Sequence, residues 1–120
     1  GDLDTLMAGL ACGEVSLLAW DILASGADAF CALPDPAAVD VMRLLASPLP
    51  GDPVVVAGES AVAGLAAALL LAQDPGTSQL PGLGADSRIL VFGSESDTDP
   101  ALYQQLVGRS AAQVRQDGAA

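Results

Sequence analysis

The sequence predicts an α/β fold, in which helices alternate with the strands of a parallel sheet and cover it. Helical and β-branched segments follow one another along the chain, and this alternation is typical of βαβ units. Apolar residues make up 52% of the chain but aromatic residues only 3%, so the core consists of small aliphatic side chains that suit close packing of helices on a sheet. The length of 120 residues fits one domain with a sizeable core.

Hydrophobic periodicity and turn residues place the individual elements. After a glycine-punctuated loop at the start, apolar patterns predict four helices, over residues 15–25, 35–46, 61–73 and 100–107. Short apolar or β-branched runs between them predict three buried strands, over residues 27–33, 53–57 and 88–92. The Pro- and Gly-rich stretch 74–86 predicts a loop, and residues 108–120 are expected to be a frayed tail.

Residues at the helix starts support these boundaries. Ser16 and Asp35 are expected to cap the first two helices, and Pro100 stands at a first helical position of the last one. Trp20 on the first helix is expected to be a core residue. Cys12 is also expected to be a small buried residue, because the chain offers no His or Lys to activate a thiol.

The charge balance excludes several classes of partner. Fifteen acidic residues against four arginines give a net charge of -11, which disfavours binding to nucleic acid or to an anionic membrane. The longest apolar run, residues 61–72, falls short of the ~20 residues that a membrane helix needs. No signal peptide is recognisable at the start, and two cysteines are too few for a disulfide scaffold, so a cytoplasmic location is expected; whether Cys12 and Cys31 pair stays open.

Polar and glycine-rich sequences follow the predicted strands. In parallel sheets, ligands bind at the carboxyl ends of the strands, and here two of those ends carry the residues 58–60 (Gly-Glu-Ser) and 93–96 (Gly-Ser-Glu-Ser). The first turn suits close approach of a ligand to the backbone and to free N–H groups of the next helix. Alternatively, Ser60 or Glu59 only caps that helix.

The second loop, over residues 93–99, also allows more than one interpretation. It could present Ser94 to a ligand atom, or it could be a polar loop in which Asp97 or Asp99 caps the last helix. A metal site built from its three acids has suitable spacing, but the loop lacks the glycine and the distal glutamate of a calcium loop, so no metal is expected.

Several strings of the chain resemble the diaminopropionate ammonia-lyase family, which is part of the fold type II pyridoxal enzymes. The resemblance covers roughly residues 1–107 and is carried by the segments 4–14 (DTLMAGLACGE), 56–60 (VAGES), 88–92 (RILVF) and 94–99 (SESDTD). It implies that residues 1–107 are the C-terminal part of the large catalytic domain of an enzyme about three times as long.

The resemblance also implies a reaction and a set of site residues. Such enzymes eliminate ammonia from 2,3-diaminopropionate and yield pyruvate and further ammonia, with pyridoxal phosphate as cofactor. Ser94 matches the hydroxyl residue that binds the pyridine nitrogen, Gly9 lies in a loop close to the cofactor ring, and Glu59 lies in a turn that lines the pocket. The resemblance assigns this chain no catalytic residue of its own, and at Val15, Ala61 and Ser96 it departs from the family, which has Pro, Gly and Gly there.

The amino-acid composition limits what this chain can do by itself. The chain contains no lysine, and a pyridoxal enzyme holds its cofactor through a lysine Schiff base. We therefore expect a segment that is inactive alone and whose partners are the missing N-terminal portion, a small amino-acid substrate and, for the complete enzyme, a second copy. The alternatives are a non-catalytic α/β binding or scaffold module that pairs with a separate chain, and a small-ligand domain that uses the Ser94 and Glu59 loops.

Overall fold

Helices account for all the regular secondary structure in the part of the chain that the structure describes. The structure, a computed structural model, describes residues 3–74, 76 and 83–119. Within those ranges a short 3-10 helix, Ala8–Leu10, precedes five α-helices, which are α1 (Leu17–Gly26), α2 (Asp35–Ala46), α3 (Ala63–Gln73), α4 (Pro100–Val107) and α5 (Ala111–Asp117). The four predicted helices are thus present, with boundaries within about two residues of those expected.

The predicted parallel sheet is not confirmed. Residues 27–33, 53–57 and 88–92 form no β-ladder within the described part of the chain. A β-branched run becomes a strand only when a neighbouring strand shares its backbone hydrogen bonds, and these three segments do not pair with one another. The predicted loop 74–86 is only partly described, because residues 75 and 77–82 lie outside the described ranges.

The hydrophobic core lies around α2. This helix packs against α3 and α4, and α4 in turn contacts α5. The apolar residues of α2 recur at a spacing of three or four, which puts them on one face of the helix, and that face is buried through Ala38, Val41, Met42 and Ala46. Residues from the other segments complete the core, namely Met7, Ala57, Ala61, Val62, Ala66, Tyr103, Ala111 and Val114.

Local hydrogen bonds confirm one predicted helix cap and correct another. The Ser16 hydroxyl accepts a hydrogen bond from the Ala19 amide at the start of α1, as the sequence predicts. Asp35, in contrast, lies inside the first turn of α2, and the cap position belongs to Pro34. The Asp35 carboxylate instead accepts hydrogen bonds from the Thr5 hydroxyl and the Leu6 amide, so it ties the N-terminal segment to α2.

Helix α5 occupies the segment that was expected to be a frayed tail. A capping box between Ser110 and Gln113 starts the helix, which satisfies amides that would otherwise lack partners. Ala111 and Val114 are buried because their spacing of three places them on the same face, towards α4. Arg109 adds hydrogen bonds from its guanidinium to the Ala46 carbonyl, at 2.7 Å, and to the Ser47 hydroxyl, at 2.6 Å.

Much apolar surface remains uncovered. Helix α1 buries none of its residues, and its Trp20 is 46% exposed, with its ring centroid 6.3 Å from that of Phe30. The expectation that Trp20 lies in the core is therefore wrong for this chain by itself. Its solvent-accessible surface is 8427 Å², where about 6,000 Å² is typical of a compact monomer of this mass. Within the described ranges, no helix has both the length and the apolar character needed to cross a bilayer.

Candidate functional site

Three loops that are distant in sequence meet at one place in the structure. The Gly9 amide donates a hydrogen bond to the Ser60 hydroxyl over 2.9 Å, and the Ser60 amide donates to Glu95 Oε1 over 2.7 Å. The Gly58 amide also approaches the backbone carbonyl of Glu95, at 3.3 Å. We call this arrangement of Gly9, residues 58–60 and residues 93–97 the loop cluster.

Two glycines allow the loops of this cluster to approach each other closely. A Cβ atom at Gly58 would lie 2.4 Å from the Ser96 carbonyl oxygen and 2.8 Å from Glu95 Cγ. A Cβ atom at Gly9 would lie 2.9 Å from the Ser60 hydroxyl oxygen. Larger residues at either position would force the loops apart, so the absence of a side chain is required by contact distance.

Ser60 links loops and does not cap a helix. Helix α3 begins at Ala63, its cap position is Val62, and no side chain accepts a hydrogen bond there. Ser60 is only 6% exposed, and its hydroxyl is engaged with Gly9 instead. The interpretation of Ser60 or Glu59 as a helix cap is therefore wrong, because the turn continues for two more residues before the helix starts.

The structure brings the three predicted site residues into this cluster. Gly9 and Ser94 are exposed and Glu59 is half-buried. Neither the Ser94 hydroxyl nor the Glu59 carboxylate has a hydrogen-bond partner within the described part of the chain, so both remain available to a ligand. Their role toward a cofactor remains a prediction. Glu95, which joins the loops 58–60 and 93–97, was recognised in the sequence only as one acid among three, because nothing in its spacing marks it as a partner of Ser60.

The outer side of the second loop is held by α5. Arg115 donates hydrogen bonds to Asp97 Oδ1, at 2.7 Å, and to the Ser96 hydroxyl, at 3.3 Å. The Arg115 guanidinium, with the hydrogen bond from Ser96, holds the pKa of the Asp97 carboxyl below its usual range. Asp99 accepts a hydrogen bond from the Leu102 amide and caps α4, which confirms one of the two caps considered for this loop.

The acids of this loop do not form a metal site. Within the described ranges, no group of three or more His, Cys, Asp or Glu side chains could hold a metal ion. The three acids have separate contacts, since Glu95 faces Ser60, Asp97 pairs with Arg115, and Asp99 caps α4.

Three of the four arginines of the chain have partners. Arg43 donates to the Leu106 carbonyl, Arg109 pairs with Asp117, and Arg115 pairs with Asp97 at the outer side of the cluster. Arg88, the fourth, has no hydrogen bond or ion pair among the described residues and lies outside the loop cluster. With no lysine or histidine in the sequence, the loop cluster offers neutral hydroxyls, backbone groups and carboxylates. Such a set suits hydrogen bonding to a neutral or cationic group and is poorly suited to a phosphate.

The structure corrects the expectation for Cys12 and shows how the backbone accommodates Ala61 and Ser96. Cys12 and Cys31 are both free thiols and both exposed, so the expected burial of Cys12 is wrong for this chain. Ala61 and Ser96 stand where the family resemblance implies glycine, but they cause no backbone strain, because no described residue other than glycine has a positive φ. The backbone at these two positions therefore has no need of glycine.

Comparison with known proteins finds similarity to diaminopropionate ammonia-lyases. No family model matches the chain. The diaminopropionate ammonia-lyase of Escherichia coli strain K12 is 38% identical over 110 residues, which cover 89% of this chain and 28% of that enzyme. The diaminopropionate ammonia-lyase of Salmonella typhimurium is 36% identical over 117 residues, which cover 92% of this chain and 29% of the enzyme.

A solved structure agrees with the sequence comparison. Diaminopropionate ammonia lyase from Escherichia coli, in complex with an aminoacrylate-PLP azomethine reaction intermediate, superposes with a TM-score of 0.70 at 36% identity. The match covers 86% of this chain and 28% of that one. The chain thus spans less than a third of the length of these relatives, and in sequence and backbone it resembles one segment of the diaminopropionate ammonia-lyases.

Proposed function

We propose that this chain is the C-terminal segment of a pyridoxal-phosphate-dependent ammonia-lyase that converts 2,3-diaminopropionate to pyruvate and ammonia. The observation that carries the proposal is the 38% identity to such enzymes over 89% of the chain. It is supported by the loop cluster, which gathers Gly9, Glu59 and Ser94 from three separate segments. The segment would contribute to the cofactor pocket and would be inactive alone.

The residues of the loop cluster fit one side of the cofactor. The exposed Ser94 hydroxyl can donate a hydrogen bond to the ring nitrogen, and the glycines let the backbone approach a flat ring. The cluster supplies no lysine for the aldehyde carbon and no free basic group for the phosphate. In this proposal, both of these contacts belong to the portion of the enzyme that this chain does not span.

The bound cofactor supplies an electron sink for the negative charge that develops at the substrate's α-carbon. Ser94 would set the strength of that sink, because a neutral hydroxyl leaves the ring nitrogen largely unprotonated, whereas a carboxylate would favour protonation. A weaker sink suffices for β-elimination, since the leaving group departs soon after the proton is removed. Glu59 would line the pocket near the substrate's ammonium groups.

The same proposal covers the domain and the sheet to which this segment would belong. Residues 1–107 would belong to the large catalytic domain, and segments 27–33, 53–57 and 88–92 would be strands of its parallel sheet. The exposed apolar side chains of Leu90 and Phe92, at 79% and 83%, support this, because strands of parallel sheets are normally buried on both faces. Their partners would be strands of the N-terminal portion, in a cytoplasmic enzyme that forms homodimers.

The first experiment compares the complete protein with this segment. We would sequence the reading frame upstream of Gly1, express the complete polypeptide, and measure bound pyridoxal phosphate and pyruvate release from 2,3-diaminopropionate. The complete protein should bind the cofactor and release pyruvate. The 120-residue chain alone should release no pyruvate and hold no cofactor through a lysine Schiff base, because it has no lysine.

The control addresses covalent attachment. After borohydride reduction and peptide mapping, the isolated chain should carry the cofactor on no residue other than the amine of Gly1, which is a trivial site. Pyruvate release by the isolated chain, or a complete protein that binds no pyridoxal phosphate, would contradict the proposal.

A further inference from the structure

We propose that Ser60 and Glu95 form a positioning relay, whose hydrogen bonds set the Gly9 loop and Ser94 relative to each other. The inference rests on the proposed function, because Gly9 and Ser94 are the positions proposed to face the cofactor ring. Ser60 and Glu95 would not touch the cofactor. They would act through the backbone of the residues that do.

The first link of the relay is a part-buried hydrogen bond. The Ser60 hydroxyl accepts the hydrogen bond of the Gly9 amide at 2.9 Å, and Ser60 is 6% exposed. Water therefore competes poorly for this bond. Gly9 itself is exposed, so its loop is fixed from the protein side by one buried hydroxyl while its outer side is open to solvent.

The second link involves both the side chain and the backbone carbonyl of Glu95. The Glu95 side chain accepts from the Ser60 amide at 2.7 Å, and the Glu95 backbone carbonyl lies 3.3 Å from the Gly58 amide. Ser94 is the preceding residue and has no hydrogen bond of its own within the described part of the chain. Its position therefore depends on how Glu95 is held.

The two loops that the relay joins cannot move closer together. A Cβ atom at Gly58 would already lie 2.4 Å from the Ser96 carbonyl oxygen, so the two loops are in contact and cannot close further. When a hydrogen bond of the relay is lost, the loops can only move apart. Such movement would carry Ser94 away from the Gly9 loop and would change the surroundings of a ring bound between them.

Amide hydrogen exchange in the complete protein tests the two hydrogen bonds directly. Ser60→Ala removes the acceptor for Gly9, so the Gly9 amide should exchange about twofold to tenfold faster. Glu95→Ala should accelerate the Ser60 amide by a similar factor. Two conservative variants should restore slow exchange, since Ser60→Thr keeps the hydroxyl and Glu95→Gln keeps an acceptor oxygen. Glu14→Ala is the matched control, because Glu14 is exposed and has no hydrogen-bond partner among the described residues.

The absorption spectrum of bound pyridoxal phosphate tests whether the relay reaches the pocket. Ser60→Ala and Glu95→Ala should shift the cofactor absorbance while the amount of bound cofactor per chain stays at the parental level. The Thr, Gln and Glu14→Ala variants should keep the parental spectrum. A purely structural role would change the unfolding midpoint and leave the spectrum of the folded protein unchanged.

The possible results separate this inference from the proposed function. Unchanged exchange at Gly9 in Ser60→Ala, or faster exchange with an unchanged cofactor spectrum, would overturn the positioning relay and leave the ammonia-lyase proposal intact. Absence of bound pyridoxal phosphate from the parental protein would overturn the proposed function, and with it any role of the relay at a cofactor. The exchange rates would then still show whether Ser60 and Glu95 link the loops.

Discussion

Ser94 is the residue whose chemistry matters most to the proposed site. It is exposed in the loop cluster and its hydroxyl has no hydrogen-bond partner among the described residues. Its neighbour Glu95 is held by the Gly58–Ser60 turn. Ser94 is thus positioned through its neighbour Glu95 while its own side chain stays available to contact a ligand.

Two substitutions at Ser94 in the complete enzyme should have different effects. Ser94→Ala removes one neutral hydrogen bond, which costs about 0.5–1.5 kcal/mol, and should leave most cofactor binding intact. Ser94→Asp should favour a protonated ring nitrogen, shift the cofactor spectrum and raise transamination relative to elimination. Product ratios and absorption spectra check both outcomes. If both variants keep the parental kinetics and spectra, Ser94 does not belong to the site.

Gly58 should tolerate no side chain. Gly58→Ala places a methyl group against the backbone carbonyl of Ser96, which cannot rotate away as a side chain could, so we expect a destabilisation of about 1–3 kcal/mol. Urea unfolding measures the change. Gly93→Ala is the control, since a Cβ atom there has no neighbour within 4 Å, and it should be close to neutral. Equal effects of the two variants would contradict the close contact between the loops.

At the scale of elements, α5 is the unexpected part of the structure. It contacts α4 through buried Ala111 and Val114, and its Arg115 reaches the loop that carries Ser94 through Asp97. The loop is therefore held on two sides, by Ser60 inside and by Arg115 outside. This places the last helix of the chain among the supports of the candidate site.

The hydrogen bond between Arg115 and Asp97 should make the attachment of α5 depend on pH. The folded-state pKa of Asp97 is lowered below its usual value, mainly by Arg115. Its contribution to stability is therefore present above a pH of about 4, the usual pKa of aspartate, and is lost as the pH falls through the lower folded-state pKa. The protection of the α5 amides against hydrogen exchange, measured relative to their intrinsic exchange rates at each pH, should fall across that acidic range.

Variants assign this effect to Asp97. Asp97→Asn should show faster exchange of α5 already at neutral pH and a weaker further change on acidification. Asp28→Asn, which removes an exposed aspartate without a hydrogen-bond partner among the described residues, should follow the parental profile. An unaltered pH profile in Asp97→Asn would show that the ion pair does not hold α5 in place.

At the scale of the whole molecule, the uncovered apolar surface dominates. Leu17 and Leu18 of α1 are 81% and 78% exposed, and Leu90 and Phe92 are exposed to a similar extent. The radius of gyration is 15.6 Å, where about 13.6 Å is typical of a compact domain of this length. Both measures show that this chain by itself is less compact than a typical domain of its length and exposes apolar side chains that such a domain would bury.

The isolated chain should therefore self-associate despite its net charge of -11. Exposed apolar patches of several hundred Å² tend to drive association, and sedimentation together with binding of a hydrophobic dye measures it. The double variant Leu90→Ser with Phe92→Ser should reduce both signals without lowering the unfolding midpoint, because neither side chain is buried. A compact monomer that binds no dye would instead indicate a self-sufficient domain.

The sequence by itself determined what depends on neighbours along the chain. Helix positions followed from apolar spacing and from local caps such as Ser16 and Asp99, since those hydrogen bonds span three residues. Gly9, Glu59 and Ser94 were expected in one site because short segments of the chain resemble a known family. Such a resemblance indicates which residues distant in sequence meet, whereas composition does not.

Only the tertiary structure decided which groups meet over long sequence distances. The hydrogen bond between Gly9 and Ser60 joins residues 51 apart, and that between Ser60 and Glu95 joins residues 35 apart, so no local pattern reveals either. Long-range packing also explains why residues 108–120 were wrongly expected to be a frayed tail. Val114 of α5 is buried by residues from elsewhere in the chain. The dependence on distant residues also explains the missing strands, since a β-branched run specifies a strand only when a partner shares its backbone hydrogen bonds.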